Sequence, residues 1–221
     1  MSDWFQSLAE GVHEVFDARN QARDRALVQA RQLTRCCAQA IRAIHREDVA
    51  LADENLAEAR ALVHSLQQDL TAYPDLYFSG YTQDAIKEYA EASVTVAIIR
   101  HQQPPLPNEL GIEYATYLNG LAEVVGELRR RCLDILRQGY SDEAERLLAS
   151  MDDIYNLLIT VDYPDALTNG LRRQTDLARG ILERTRGDLT ISLQEERLQR
   201  AMRDLKEHLA AGEVHADDSR L

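Results

Sequence analysis

The sequence predicts an all-α protein, a single-domain antiparallel bundle of about seven helices. Three observations carry that prediction. Apolar residues recur at steps of 3 and 4 along most of the 221 residues, the spacing of one face of a helix. The five prolines fall in only three places, Pro74, the cluster Pro104, Pro105 and Pro107, and Pro164, where they punctuate the helical pattern rather than interrupt it. No alternating β-branched run marks a strand. A hydrophobic content of 45% supplies one packed core and excludes disorder or collagen-like order.

The first helix reads from about Val12 to Arg46, with Leu27, Ala30, Thr34, Cys37, Ile41 and Ile44 as its seam. A second, about Val49 to Leu70, carries Leu51, Leu56, Ala59, Leu62, Val63 and Leu66 and ends at the turn Tyr73-Pro74-Asp75. The third starts near Thr82, read as its N-cap with Asp84 in the first turn, and runs through Ile86, Tyr89, Val94 and Ile98 to Arg100. After a proline-rich loop at 102–110, a fourth spans about Ile112 to Gln138 and stops at Gly139, a C-cap residue. Ser141 caps a fifth helix, reaching Leu158. Pro164 opens a sixth ending near Gly187. Thr190 to Leu209 forms a seventh, with Leu193, Leu198, Met202, Leu205 and Leu209 available for a core. The domain is read as residues 1–211, followed by a polar tail at 212–221.

The start Met1-Ser2-Asp3-Trp4 is acidic where a secretory signal is basic, and no apolar run approaches the ~20 residues of a membrane helix. A soluble, cytoplasmic protein without a membrane partner is expected. Cys36, Cys37 and Cys132 make neither an even disulfide set nor a zinc spacing, so they read as reduced packing residues. No phosphate-cradling glycine loop, HExxH, nucleophile elbow or dinucleotide fingerprint occurs. The six histidines show no common ligand face and read as surface or boundary residues.

The net charge is −12, from 25 basic and 37 acidic residues, which argues against a nucleic-acid partner on average. The average hides a segregation. From Arg19 to Arg46 the chain carries seven arginines, Arg31 and Arg35 among them, against the single acid Asp24, a net of +6. A confined surface for polyanions would look like this, and so would a solvated face paired with acidic helices.

The carboxylates point to chemistry. Glu88 and Glu91 are i, i+3 neighbours on the third helix, with Asp84 four residues before Glu88, and Lys87 is spaced to pair with Glu91. Glu123 and Glu127 are i, i+4 neighbours on the fourth, off its Leu121/Val125/Leu128/Cys132 seam. Antiparallel packing of the two helices would gather four carboxylates. Buried like charges are costly without a cation, and an all-oxygen set suits Mg²⁺ or Mn²⁺. Such an ion polarises a phosphodiester and acidifies bound water, which makes a metal-dependent phosphodiesterase the sharp reading. The bland one is a set of solvated glutamates, with Glu127 bridging to Arg130 or Arg131.

The local sequence around these acids is more specific. Lys87-Glu88-Tyr89-Ala90-Glu91-Ala92 resembles the Gln-Glu-Tyr-Val-Glu-Ala motif of translin-associated factor X (TRAX), a member of the translin family. Tyr117-Leu118-Asn119-Gly120-Leu121-Ala122-Glu123-Val124-Val125-Gly126-Glu127-Leu128-Arg129 resembles its Tyr-Leu-Leu-Gly-Val-Ala-Asp-Leu-Thr-Gly-Glu-Leu-Met. The likeness extends without gaps from Asp17 to His45-Arg46, and Leu171-Arg172-Arg173 with Asp176 resembles a basic element of translin. In all it covers about Asp17 to Gly187.

The resemblance implies a seven-helix translin-like fold and closed homo-oligomers enclosing a cavity, an octamer among them. It also implies single-stranded RNA or DNA as ligand, and metal-dependent endoribonuclease activity of the TRAX type. The four TRAX acids carry over to Glu88, Glu91, Glu123 and Glu127, as catalytic and metal-binding residues. Translin has apolar or basic residues at the first two positions and lacks the third acid, so the site is TRAX-like. It departs from TRAX in Glu123, one methylene longer than the family's Asp, a change that bears on metal geometry and leaves open weaker activity or a preference for Mn²⁺ over Mg²⁺. RNA-binding roles fall to Arg19, Arg23, Arg31, Arg35, Arg172 and Arg173. Two alternatives stand beside the nuclease: a non-catalytic translin-like binder of single strands, and a scaffold whose acidic stripes are solvated faces.

Overall fold

In the computed structural model residues 3–218 are described, with side chains as far as residue 209. The chain is all helix and turn over that range. α1 (Asp3–His45), α2 (Val49–Asp69), α4 (Gly80–Ile99), α6 (Tyr114–Leu136), α7 (Asp142–Leu158) and α9 (Leu171–Asp218) are the long elements. α3 (Pro74–Tyr77), α5 (Pro107–Leu110) and α8 (Asp165–Thr168) are single turns placed at the three proline sites.

α4 is the hub. It is apolar round most of its circumference, as a helix wrapped by others must be, and Ala85, Ile86, Tyr89, Ala90, Ala92, Val94, Val96, Ala97 and Ile98 are all buried. It packs against α1, α2, α6 and α7, while α9 covers α6 and α7. Alanine and cysteine on α1 (Ala22, Ala26, Ala30, Cys36, Cys37, Ala40) let the neighbouring helices approach closely.

The hairpin α1–α2 is antiparallel, as the bonds Gln32–Glu58 and Gln29–Asp69 require. The two acid-bearing helices are different. Gln83 meets Thr116, the backbone at Lys87–Glu91 meets Gly120, and Lys87 meets Glu123, so α4 and α6 ascend together and run in the same sense. The antiparallel packing expected for this pair is not what forms. The physical reason lies in residues 100–113: extended, this stretch reaches roughly 45 Å, more than the roughly 30 Å length of α4, so it carries the chain back to the starting end.

Several boundaries also differ from expectation. Ser79, not Thr82, precedes α4, because α3 folds directly into it and both hydroxyls donate to the Leu76 carbonyl. Ser141 caps α7 as expected, accepting from the Glu143 N–H. Pro164 introduces only α8, after which the left-handed pair Asn169 and Gly170 turns the chain into α9. The expected sixth and seventh helices are one continuous helix. A mid-helix glycine costs only about 1 kcal/mol, and at Gly187 the Arg129–Asp188 ion pair and buried Thr185 hold α9 against α6. α9 continues to Asp218, through most of the segment read as a tail, and residues 219–221 lie outside the described range.

Both ends of the chain leave the bundle. α1 begins nine residues before the expected start, and Trp4, Phe5, Leu8, Val12, Val15 and Phe16 are exposed along it. On α9, Leu198, Met202, Leu205 and Leu209, expected to feed a core, are exposed too, since no element of the same chain reaches them.

Candidate metal centre

The site is built where α4 and α6 touch most closely. Gly120 makes this possible. A Cβ there would lie 2.7 Å from the Lys87 carbonyl oxygen and 2.9 Å from the Ala90 Cβ, so only glycine lets α6 rest on the backbone carrying Glu88 and Glu91. One helical turn farther along α6, Glu123 is brought over the α4 pair. Carboxylate oxygens of Glu88, Glu91 and Glu123 all lie within 4.8 Å of one another. Three of the four expected acids thus converge.

The fourth, Glu127, is held differently. Its Oε2 accepts from His45 Nε2 at 2.6 Å, and Arg130 lies at 3.4 Å. The sequence makes His45 a surface or boundary histidine, but its side chain is only 3% exposed, and its Nδ1 has no partner among the described residues. The signal for it was its place one helical turn after Ile41, next to Ile44, on the buried seam of α1. Its own carbonyl accepts from Arg131, which also pairs with Glu47, so the end of α1 is fastened to α6.

Lys87 is the second residue with an unexpected partner. Its Nζ lies 2.7 Å from Glu123 and 4.0 Å from Glu88, not on Glu91. Pairing across the helices forms because the close contact at Gly120 sets Glu123, one turn farther along α6, in front of the Lys87 side chain.

The electrostatics follow from these contacts. Burial, reinforced by the charges of Glu88, Glu123 and Glu127, pushes Glu91 up to about 8. Burial also raises Glu88, against the opposing Lys87 ammonium. Glu127 moves the other way, because the His45 hydrogen bond outweighs its burial. An uncompensated buried carboxylate such as Glu91 is what a bound cation would relieve. The donor set fits a hard divalent ion. Two oxygens bound to one such ion, each at roughly 2.0–2.6 Å, lie at most about 5 Å apart, and the three carboxylates meet that limit.

The basic residues singled out as RNA contacts are scattered. Arg19 pairs with Asp75 and Arg23 with the adjacent Asp24. Arg31 and Arg35 are exposed on α1 and have no ion-pair partner among the described residues. Arg172 and Arg173 are exposed at the start of α9, and Arg172 lines a groove of about 710 Å³ with Tyr155, Tyr163 and Asp176.

No family model matches the sequence. An uncharacterised protein of Methanocaldococcus jannaschii is 34% identical over 183 residues, 82% of this chain and 81% of that protein. Among solved structures, AfC3PO is 33% identical with a TM-score of 0.78, and AfC3PO in complex with duplex RNA 32% identical with 0.77; each alignment covers 86% of this chain and 98% of the other. The chain belongs to the translin/C3PO family. A third C3PO structure, apo-NeC3PO, has a TM-score of 0.75 at 21% identity over 87% of this chain and 98% of that one, a likeness of fold. Within a C3PO-type fold the acidic cluster therefore sits across the α4–α6 contact, beside the close approach at Gly120.

Proposed function

We propose that this chain is a metal-dependent endoribonuclease of the TRAX-like branch, acting on single-stranded or loosely structured RNA. The observation that carries this reading is the convergence of Glu88, Glu91 and Glu123 across the α4–α6 contact. These three would hold Mg²⁺ or Mn²⁺, with Glu127 beside them as the fourth acid. A hard divalent ion bound there supplies Lewis acidity to the phosphodiester and lowers the pKa of a bound water. The chain's own contribution is placement: Gly120 sets the distance between the two acid pairs, and His45 holds the Glu127 carboxylate in one orientation. A water-derived attack leaves a 5′-phosphate and a 3′-hydroxyl, whereas 2′,3′-cyclic ends would indicate attack by the RNA's own 2′-hydroxyl.

A nucleic-acid partner is supported by the solved complex of AfC3PO with duplex RNA, and the exposed Arg31 and Arg35 are the contacts we assign first. Assembly into a closed homo-oligomer around a cavity, an octamer being one such form, is supported by the apolar stripes that α1 and α9 expose beyond the bundle. Among the described residues no helix is long and apolar enough to cross a membrane, and the reading places the protein in the cytoplasm. One observation favours the rival reading, a binder that does not cut: the Lys87 ammonium on Glu123 partly neutralises the acids without any metal.

Cleavage of end-labelled single-stranded RNA with Mg²⁺, Mn²⁺ or EDTA decides between the two. We expect metal-dependent cutting with 5′-phosphate products, abolished in Glu88→Ala/Glu91→Ala. Intact RNA that remains bound in EDTA and in Mn²⁺ alike would establish the binder instead.

A further inference from the structure

We propose that Lys87 is the resident counter-ion of the carboxylate cage, an ammonium that holds the acids together in the metal-free protein and that a divalent cation has to displace. The proposal rests on the metal-centre reading above and adds what governs metal affinity there.

The geometry leads to it directly. Among the described residues Lys87 alone of the nearby cations reaches acids on both α4 and α6, at 2.7 Å from Glu123 and 4.0 Å from Glu88. Both belong to the trio whose oxygens meet within 4.8 Å, so the ammonium and a divalent ion would draw on the same carboxylates. Two positive charges cannot share those oxygens at such range without strong repulsion, even at the effective dielectric of a protein surface. The lysine stem is flexible and its side chain is 19% exposed, which leaves a route for the ammonium to swing toward solvent. The contact is imposed by the fold rather than by local sequence, because Gly120 rests on the Lys87 carbonyl and thereby sets Glu123 in front of the Lys87 side chain.

Two consequences follow. Without metal, the cage keeps one of its acids paired and its helices closed. With metal, part of the binding free energy goes into opening the Lys87–Glu123 pair, so the site binds more weakly than the same acids would around a neutral side chain.

The test uses the full-length protein stripped with EDTA, compared with Lys87→Gln and Lys87→Arg, and reads Mn²⁺ binding by calorimetry together with the melting temperature. Lys87→Gln is expected to bind Mn²⁺ about tenfold more tightly, as removal of a competing charge worth about 1.4 kcal/mol would give. It is also expected to melt lower than wild type when metal-free and to gain more on Mn²⁺ addition. Lys87→Arg, which keeps the charge, should stay near wild type in affinity. Equal or weaker Mn²⁺ binding by Lys87→Gln, with wild type binding normally, would overturn the counter-ion role while leaving the metal centre intact. Binding by the variant but not by wild type would support it in the strongest form. Absence of Mn²⁺ binding in both proteins would remove the metal reading and this proposal with it.

Discussion

The glutamates of α4 and those of α6 are the same residue type, at similar helical spacing, in one small region, and their environments are opposite. Glu88 and Glu91 sit on the hub helix among their neighbours' negative charges, Glu88 half-buried and Glu91 buried, and both are raised, Glu91 to about 8. Each α6 acid has a cation or histidine of its own, Lys87 for Glu123 and His45 for Glu127, and Glu127 is lowered. Spacing on a helix creates candidates, but what surrounds each carboxylate decides which is strained and which is satisfied. A metal centre needs both kinds: strained acids to drive cation binding, and anchored ones to fix geometry.

The largest disturbance of this contrast is expected from Gly120→Val, which separates the two pairs at their closest point. Overpacking of this kind costs about 1–3 kcal/mol or more, and here the added atoms meet backbone. Denaturant midpoints should fall accordingly, and Mn²⁺ affinity should fall with them. Retained stability and affinity would mean that α6 sits farther from α4 than described.

Next comes pH. Glu91 has a folded pKa above its unfolded value, so its contribution to stability is full below about pH 4.5 and is lost as pH rises through about 8. Glu88 acts in the same direction. In EDTA, stability should therefore decline from pH 5 to pH 9 by an amount on the order of a few kcal/mol, read as a falling melting temperature. Glu91→Gln should flatten the decline, and a flat wild-type profile would show that Glu91 is not buried among like charges. Glu127 has the opposite sign: its contribution is present above its unfolded pKa and is lost as pH falls through the lowered folded value.

A smaller effect is expected from His45→Ala. Losing the donor of a half-buried acceptor costs about 1 kcal/mol, the lower end of the range for a fully buried one, and the loss of stability on the acid side that Glu127 produces should shrink. Nuclear magnetic resonance titration of Glu127 in His45→Ala should show its pKa moving up; an unmoved value would mean that Arg130 alone holds the carboxylate. The smallest change in stability is expected from Arg31→Ala/Arg35→Ala. Surface substitutions away from packed features stay within ±0.5 kcal/mol, yet RNA affinity should drop and become less steeply salt-dependent. Loss of assembly instead would assign these arginines to a contact between subunits.

Much of the fold is legible in the amino-acid sequence. The periodic apolar steps marked all six long helices, because a buried helix face needs them whatever its neighbours are. The meeting of Glu88, Glu91 and Glu123 is expected from the acidic stripes of the two helices, although it comes about through packing in the same sense rather than the antiparallel packing expected. Errors concentrated where long-range contacts override local signals. Thr82 is a good cap residue that is buried against α3, Gly187 is a good stop that tertiary anchoring spans, and Leu198 to Leu209 are good core residues with no partner in their own chain.

By itself, then, the sequence determined that the chain is helical, roughly where its long helices lie, and which glutamates share a helical stripe, since each depends on residues within a few turns of one another. The tertiary structure alone decided that α4 and α6 run in the same sense, that Gly120 is their contact, that Lys87 reaches Glu123, and that a histidine 82 residues away holds Glu127. Those choices depend on how residues 100–113 return the chain and on which surfaces fit closest, and the energy of a buried charge is set by that fit.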